Sequence, residues 1–213
     1  MKRLFLVVAL ALVLVAPSLA QATNLVANGD FAGGPTIVDS FTTLFPGSTA
    51  IPDWTVGPTG SIDYITGYWQ APPGGGAGVS LDMDGNSPGS ITTTNSFATS
   101  LGVTYDVTFY LAGNPDGPPT TKDLQVTVGG TVQDFTFDTT GDSRTNMGWT
   151  QESFSFIGTG SPMSLTFASL DTNTPYGPAV GDVSITAVPE PSILLFLGAG
   201  LIGLTAFRRR FKK

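Results

Sequence analysis

The sequence contains no cysteine and no histidine. Disulfide staples, thiol nucleophiles, Ser-His-Asp triads and His- or Cys-bound metals are therefore excluded, and acid–base chemistry is left to carboxylates. Positive charge is nearly missing from the middle of the chain. Between Thr23 and Val188 only Lys122 and Arg144 oppose fourteen Asp and one Glu, a net charge of −13. Nucleic acid and anionic lipid need Lys and Arg to neutralise phosphate, so neither is an expected partner. Helical periodicity is also lacking. No ten-residue stretch of the middle places apolar residues at spacings of three and four, while Gly, Pro, Thr and Ser interrupt it throughout, so helices should be nearly absent there. No repeat of 20 to 50 residues points to a solenoid or propeller.

The two ends differ from this middle. Met1-Lys2-Arg3 is a cationic start, Leu4 to Ala16 is an unbroken apolar run, and Ala20-Gln21-Ala22 is a small-x-small cleavage pattern. Such a segment is a secretory signal peptide, delivered to the Sec translocon and removed by signal peptidase after Ala22. Its 13 apolar residues fall short of the roughly 20 needed to span a bilayer. At the other end stand Pro189-Glu190-Pro191, an apolar stretch from Ile193 to Phe207, and Arg208-Arg209-Arg210-Phe211-Lys212-Lys213. The basic cluster is expected to stay cytoplasmic. A helix of this apolar stretch would be only about 22 Å long against a hydrocarbon core of about 30 Å. Gly198, Gly200 and Gly203 weaken it further. It is a marginal transmembrane anchor, suited to local unwinding by a membrane protease.

The Pro-Glu-Pro triplet, apolar helix and terminal arginine cluster resemble the PEP-CTERM sorting tail of Gram-negative bacteria. That resemblance implies an exosortase-like membrane protease cutting near Pro189, Glu190 and Pro191, with Arg208, Arg209 and Arg210 completing the signal. The expected organisation is a signal peptide (1–22), one domain (23–188) and a sorting tail (189–213). The protein would be exported, transiently held in the inner membrane by its C-terminal helix, and would end at the cell surface or outside the cell. The alternative for the tail is a permanent single-pass anchor.

The domain, about 165 residues, is long enough to bury about two-thirds of its unfolded surface without staples. Its clearest strand is Val103 to Leu111, where Tyr105, Val107, Phe109 and Leu111 alternate with Thr104, Asp106, Thr108 and Tyr110. Shorter alternations mark Leu124-Val126-Val128, Phe135-Phe137, Phe154-Phe156, Leu165-Phe167 and Val183-Ile185. Gly129-Gly130 is a two-residue hairpin signal between Val128 and Thr131. Several short strands between turn residues predict an all-β sandwich or barrel. Asn24 to Asn95 is less regular, with turn residues around Pro46-Gly47, Pro52, Pro58 and Pro72-Pro73-Gly74-Gly75-Gly76, so long loops and the binding surface are expected there.

Along this domain run Asn24-Leu25-Val26-Ala27-Asn28-Gly29-Asp30-Phe31, Ile51-Pro52-Asp53-Trp54-Thr55-Val56, Gly60-Ser61-Ile62-Asp63-Tyr64-Ile65, Leu81-Asp82-Met83-Asp84-Gly85, Leu111-Ala112-Gly113-Asn114-Pro115 and Tyr176-Gly177-Pro178-Ala179. In that order they resemble the choice-of-anchor C family. The resemblance implies a galactose-binding-like jelly-roll β-sandwich, related to carbohydrate-binding modules, here flanked by the N-terminal signal helix and the C-terminal transmembrane helix. It supplies a fold and a setting, since the family has no established activity.

Three chemistries can be weighed against these residues. A glycoside hydrolase needs two carboxylates flanking a cleft, which Asp63, Asp82 and Asp84 could supply; ordinary surface aspartates are the plainer reading, and no catalysis is expected. For calcium, Asp82-Met83-Asp84-Gly85-Asn86 alternates oxygen donors around a glycine, without the Glu that completes an EF-hand loop. The fold resemblance implies another calcium position, between an acidic residue after the N-terminal motif and an Asp opening the last strand. This chain departs from it with Ala32 and Gly181, leaving Asp30 and Asp182 as nearby substitutes. A sugar site pairs an exposed aromatic face with amides and carboxylates. Tyr68-Trp69-Gln70, with Asp63, Asn114 and Tyr176 as companions, form the candidate; otherwise Trp69 plugs an end of the sandwich. Trp54 and Trp149 are expected in the core or at its edge. The expected function is non-catalytic contact with exopolysaccharide in the extracellular matrix, the alternative being a structural envelope protein without a ligand, and the remote one a glycosidase.

Overall fold

The computed structural model describes residues 23–74 and 76–189. The signal peptide, Glu190, Pro191, the apolar tail and its arginine cluster lie outside the described residues. Among the described residues there are strands and turns but no helix.

Two antiparallel sheets face each other. One has six strands in the order β1 (Phe41–Leu44), β3 (Ile62–Thr66), β4 (Val79–Asp82), β11 (Pro178–Ala187), β6 (Thr104–Gly113) and β9 (Thr150–Ile157). The other has five in the order β2 (Trp54–Val56), β5 (Ser90–Thr93), β10 (Leu165–Ser169), β7 (Thr121–Val128) and β8 (Thr131–Asp138). Most hydrogen-bonded neighbours are not consecutive in the chain, because the chain repeatedly crosses from one sheet to the other. The result is a jelly-roll β-sandwich.

The strands form where alternation lets one face meet the core. From Thr104 to Leu111 of β6 the inward residues are buried and the intervening ones only half-buried or exposed, the period-two pattern of a strand with one apolar face. Gly129 and Gly130, at φ of 52° and 90°, turn β7 into β8, with Val128 paired to Thr131. Only a turn with both central residues at positive φ matches the twist of the flanking strands, and glycine adopts it without strain.

The core between the sheets is aromatic. Phe109 packs edge-on against Phe167 with ring centroids 5.2 Å apart, and Trp54 lies 5.1 Å from Phe31 and 6.3 Å from Phe167. Trp54 has no exposed surface, and its indole N–H donates to the Asn28 carbonyl at 2.9 Å. This accounts for the N-terminal motif in structural terms. Asn24 Oδ1 accepts the amides of Val26 and Ile185, at 3.0 and 2.9 Å, which stitches the start of the domain to β11. Phe31 seals the sandwich beneath Tyr64, whose hydroxyl donates to the Phe31 carbonyl at 3.0 Å.

As expected, Asn24 to Asn95 is mainly turn and loop, but its five short strands, β1 to β5, supply half of the six-stranded sheet.

Candidate functional site

The register of the six-stranded sheet fixes which side chains share its outer face. One row of partners, Leu111, Val180, Leu81 and Tyr64, faces the core. The alternate residues point away from it, and one row of partners runs Thr43, Asp63, Asp82, Ala179 and Ala112 across β1, β3, β4, β11 and β6. Directly opposed residues of antiparallel strands lie on the same face. The two carboxylates, Asp63 and Asp82, therefore stand side by side on that outer face.

Loops roof most of this face. The segment after β3 folds back so that the Trp69 indole N–H donates to Ser80 Oγ at 2.8 Å, while Pro72 lies so close to Gly181 that a Cβ there would sit 2.5 Å from its ring. Gln70 clamps a second loop, accepting the Met147 amide on its side chain and the Trp149 indole on its carbonyl, both at 2.9 Å. Where the roof ends, a cavity of about 220 Å³ opens above Thr43, Asp63 and Asp82. Its walls are Phe41, Ile65, Tyr68, Trp69, Gly85, Asn86, Asn114, Asp116, Pro175 and Tyr176.

Of the six residues expected to contact sugar, five line this cavity: Asp63, Tyr68, Trp69, Asn114 and Tyr176. Gln70 does not, because its polar atoms hold the 143–149 loop. The exposed platform expected of Trp69 is also absent. Trp69 is 5% exposed and forms part of the cavity floor, since its indole is drawn onto Ser80. The accessible aromatics of the lining are instead Phe41, Tyr68 and Tyr176, and the rings of Phe41 and Tyr68 meet edge-on at 5.1 Å. The Tyr68 hydroxyl donates to Asp116 at 2.9 Å, and the Arg144 guanidinium lies 4.1 Å over its ring while pairing with Asp116 at 2.8 Å. Phe41, Thr43 and Asp116 escaped the sequence reading, and Asn86 entered it only as an oxygen donor of the 82–86 segment. Their approach depends on strand register and loop folding that no local pattern encodes. Trp54 is in the core as expected, and Trp149 is half-buried at the loop that Gln70 holds.

The two carboxylates differ in their surroundings. Asp82 is buried, with Oδ1 accepting the amides of Asp84 and Gly177 at 3.0 Å and Oδ2 accepting Asn114 Nδ2 at 2.7 Å. Burial pushes its carboxyl well above the usual range, against the pull of those donors. Among the described residues Asp63 accepts only the Thr43 hydroxyl, at 2.6 Å, and burial raises it too. Behind Asp82 lies a charged cluster that sequence reasoning missed. Lys122, with no exposed surface, donates from Nζ to the carbonyls of Gly117 and Tyr176 at 2.9 and 2.6 Å, tying together two walls of the cavity. Asp82, Asp84 and Asp171 surround it. Lys122 occupies the inward phase of β7 shared with Leu124, Val126 and Val128, the sequence signal that could have found it.

The calcium expectations divide. Asp82 is taken up by N–H donors, and Asp84 is buried so close to Gly177 that a Cβ there would sit 2.5 Å from its carboxyl carbon. Asp182 lies beside Gly74 and Asp30 beside Gly76, and after burial the charge of Asp30 is what raises Asp182. Among the described residues no group of three acidic side chains is arranged to hold a metal.

No curated protein sequence matches the chain. Among solved structures, it is similar to CBM35 from Paenibacillus barcinonensis, at 18% identity over 69% of this chain and 99% of that one, with a TM-score of 0.44. It is similar to a family 35 carbohydrate binding module from Clostridium thermocellum, at 17% identity over 64% and 93% of the two chains, TM-score 0.44. It also resembles part of the arabinose-bound α-L-arabinofuranosidase MgGH51, at 13% identity over 77% of this chain and 26% of that one, TM-score 0.48. At these identities the likeness is one of fold. Residues 187–210 match the PEP-CTERM protein-sorting motif. Residues 24–186 match the model described as protein of unknown function DUF642, and the chain belongs to that family.

Proposed function

We propose that the protein is a non-catalytic component of the extracellular matrix or envelope that contacts polysaccharide through the cavity on the outer face of its six-stranded sheet. The sorting motif marks the chain for export. An exosortase-type protease then removes the tail, after signal peptidase has removed residues 1–22. The observation that carries the saccharide reading is the pairing of accessible aromatics, Phe41 and Tyr68, with a buried carboxylate and amides in one small cavity. Its 220 Å³ lies below the roughly 300–1,000 Å³ usual for drug-sized ligands, which suits one sugar unit or a chain end. Asp82 is committed to three N–H donors and is not free as an acid or base, so Asp63 and Asp82 are not read as a hydrolytic pair. A calcium ion, where one is taken up, would be held by Asp30 and Asp182, outside this cavity.

Fractionation of a culture of the producing cell tests both parts. The protein should be recovered with the exopolysaccharide, at an intact mass lacking residues 1–22 and the terminal basic cluster, whereas Tyr68→Ala should move it into the soluble fraction. Arg208 to Lys213 on the mature protein would contradict the processing. Equal retention of wild type and Tyr68→Ala would favour a structural protein without a saccharide ligand.

A further inference from the structure

The charges around the cavity narrow what it can take. Three carboxylates line it, those of Asp63, Asp82 and Asp116, and no Lys or Arg does. Asp116 is neutralised by Arg144 in the only salt bridge among the described residues, and stacking on Tyr68 fixes that cation in place. Asp82 is satisfied by its three donors. Asp63 is not. It is 8% exposed, its Oδ1 accepts the Thr43 hydroxyl, and no protein donor reaches its Oδ2 among the described residues.

This carboxylate stands where folding alone would disfavour one. Its direct partner across the β3–β4 ladder is Asp82, and like charges directly opposite each other destabilise an antiparallel pair. Burial penalises its ionised form, with only the Thr43 hydroxyl opposing that effect. Asparagine would accept the same hydroxyl without repulsion. What the carboxylate provides and asparagine cannot is a desolvated negative oxygen lining the cavity, beside an aromatic wall.

We propose that the cavity selects saccharide units bearing a free amino group, the ammonium lying against Asp63 Oδ2 and the sugar ring against Phe41 and Tyr68. The inference rests on the saccharide reading of the same site. A neutral sugar leaves Asp63 buried without a counter-charge. An acidic sugar meets repulsion from Asp63 and Asp82, with no free cation in the lining to offset it. An ammonium gains a charge-assisted hydrogen bond in a poorly solvated site.

The test is titration of the full chain, in zwitterionic micelles with EDTA present, followed by tryptophan fluorescence, to which Trp69 in the cavity floor contributes. The probes are the methyl β-glycosides of glucosamine, glucose, N-acetylglucosamine and glucuronic acid, with the galactose series in parallel. The amino sugar should bind about tenfold more tightly than its neutral counterpart, the size of one charge-assisted hydrogen bond. The N-acetylated sugar should lose that advantage, and the uronic acid should bind most weakly. Asp63→Asn should bring the amino sugar down to the affinity of the neutral one. Equal binding of amino and neutral sugars by the wild type overturns this inference and leaves the saccharide reading standing; that comparison needs no variant. A preference that survives in Asp63→Asn overturns the assignment to Asp63. Binding of none of the probes overturns both.

Discussion

Replacing Lys122 with methionine should destabilise the domain by roughly 3–5 kcal/mol, the usual effect of removing one partner from a buried charge cluster. The side chain is fully buried, and among the described residues its ammonium is the only cation facing Asp82, Asp84 and Asp171. Methionine keeps most of the volume, so the loss is electrostatic and is not due to a cavity. Two further acceptors, the carbonyls of Gly117 and Tyr176, lose their donor. Both belong to loops that wall the cavity, so the variant should bind polysaccharide weakly even where it remains folded. Thermal unfolding followed by circular dichroism measures the first effect. A melting temperature within a degree or two of wild type would show that the carboxylates are neutral without Lys122.

The same cluster should make the protein more stable in mild acid than at pH 8. Burial pushes the Asp84 carboxyl up to about 7, with Asp171 adding repulsion and the Ser169 hydroxyl and Lys122 opposing. Neither Asp84 oxygen has a hydrogen-bond partner of good geometry, nor does Asp171 Oδ2. In the unfolded chain Asp84 titrates near 3.9, so between about pH 4 and pH 7 the native state holds a proton that the unfolded state has released. Stability contributed by the protonated group is complete below about pH 4 and is lost as pH rises through 7. Asp63, Asp82, Asp171 and Asp182 are shifted in the same direction. The expected loss at pH 8 relative to pH 4 is on the order of 2–4 kcal/mol for Asp84. Asp84→Asn should flatten the profile across pH 5 to 8. A melting temperature that rises over that range in the wild type would mean that the cluster is already compensated when ionised.

How far the sequence reveals this molecule depends on how local the signal is. Strands β6 to β11 were legible because alternation such as Tyr105, Val107, Phe109 and Leu111 is a local record of which face meets the core. Strands β1 to β5 were not: four of them run for only three or four residues. In β3, Ile62 to Ile65 are all buried, since loops cover the outer face as well as the core covering the inner one, and the polar–apolar alternation disappears. The candidate site shows the same limit. Asp63, Tyr68, Asn114 and Tyr176 could be singled out by type, but their meeting depends on β11 lying between β4 and β6. Phe41 and Thr43 reach the cavity only because β1 pairs with β3 in one register. Trp69 shows what type alone cannot give: a large aromatic in a Gly- and Pro-rich loop suggests a platform, and the fold of that loop makes it a floor.

The claim on which the functional reading depends is that polysaccharide lies over the outer face of the six-stranded sheet. Hydrogen–deuterium exchange of the full chain, with and without saturating exopolysaccharide from the producing cell, addresses it directly. Slowed exchange concentrated in β1, β3 and the segments 114–117 and 175–177 is the predicted result. Unchanged exchange there, or slowing confined to the five-stranded sheet, would contradict it.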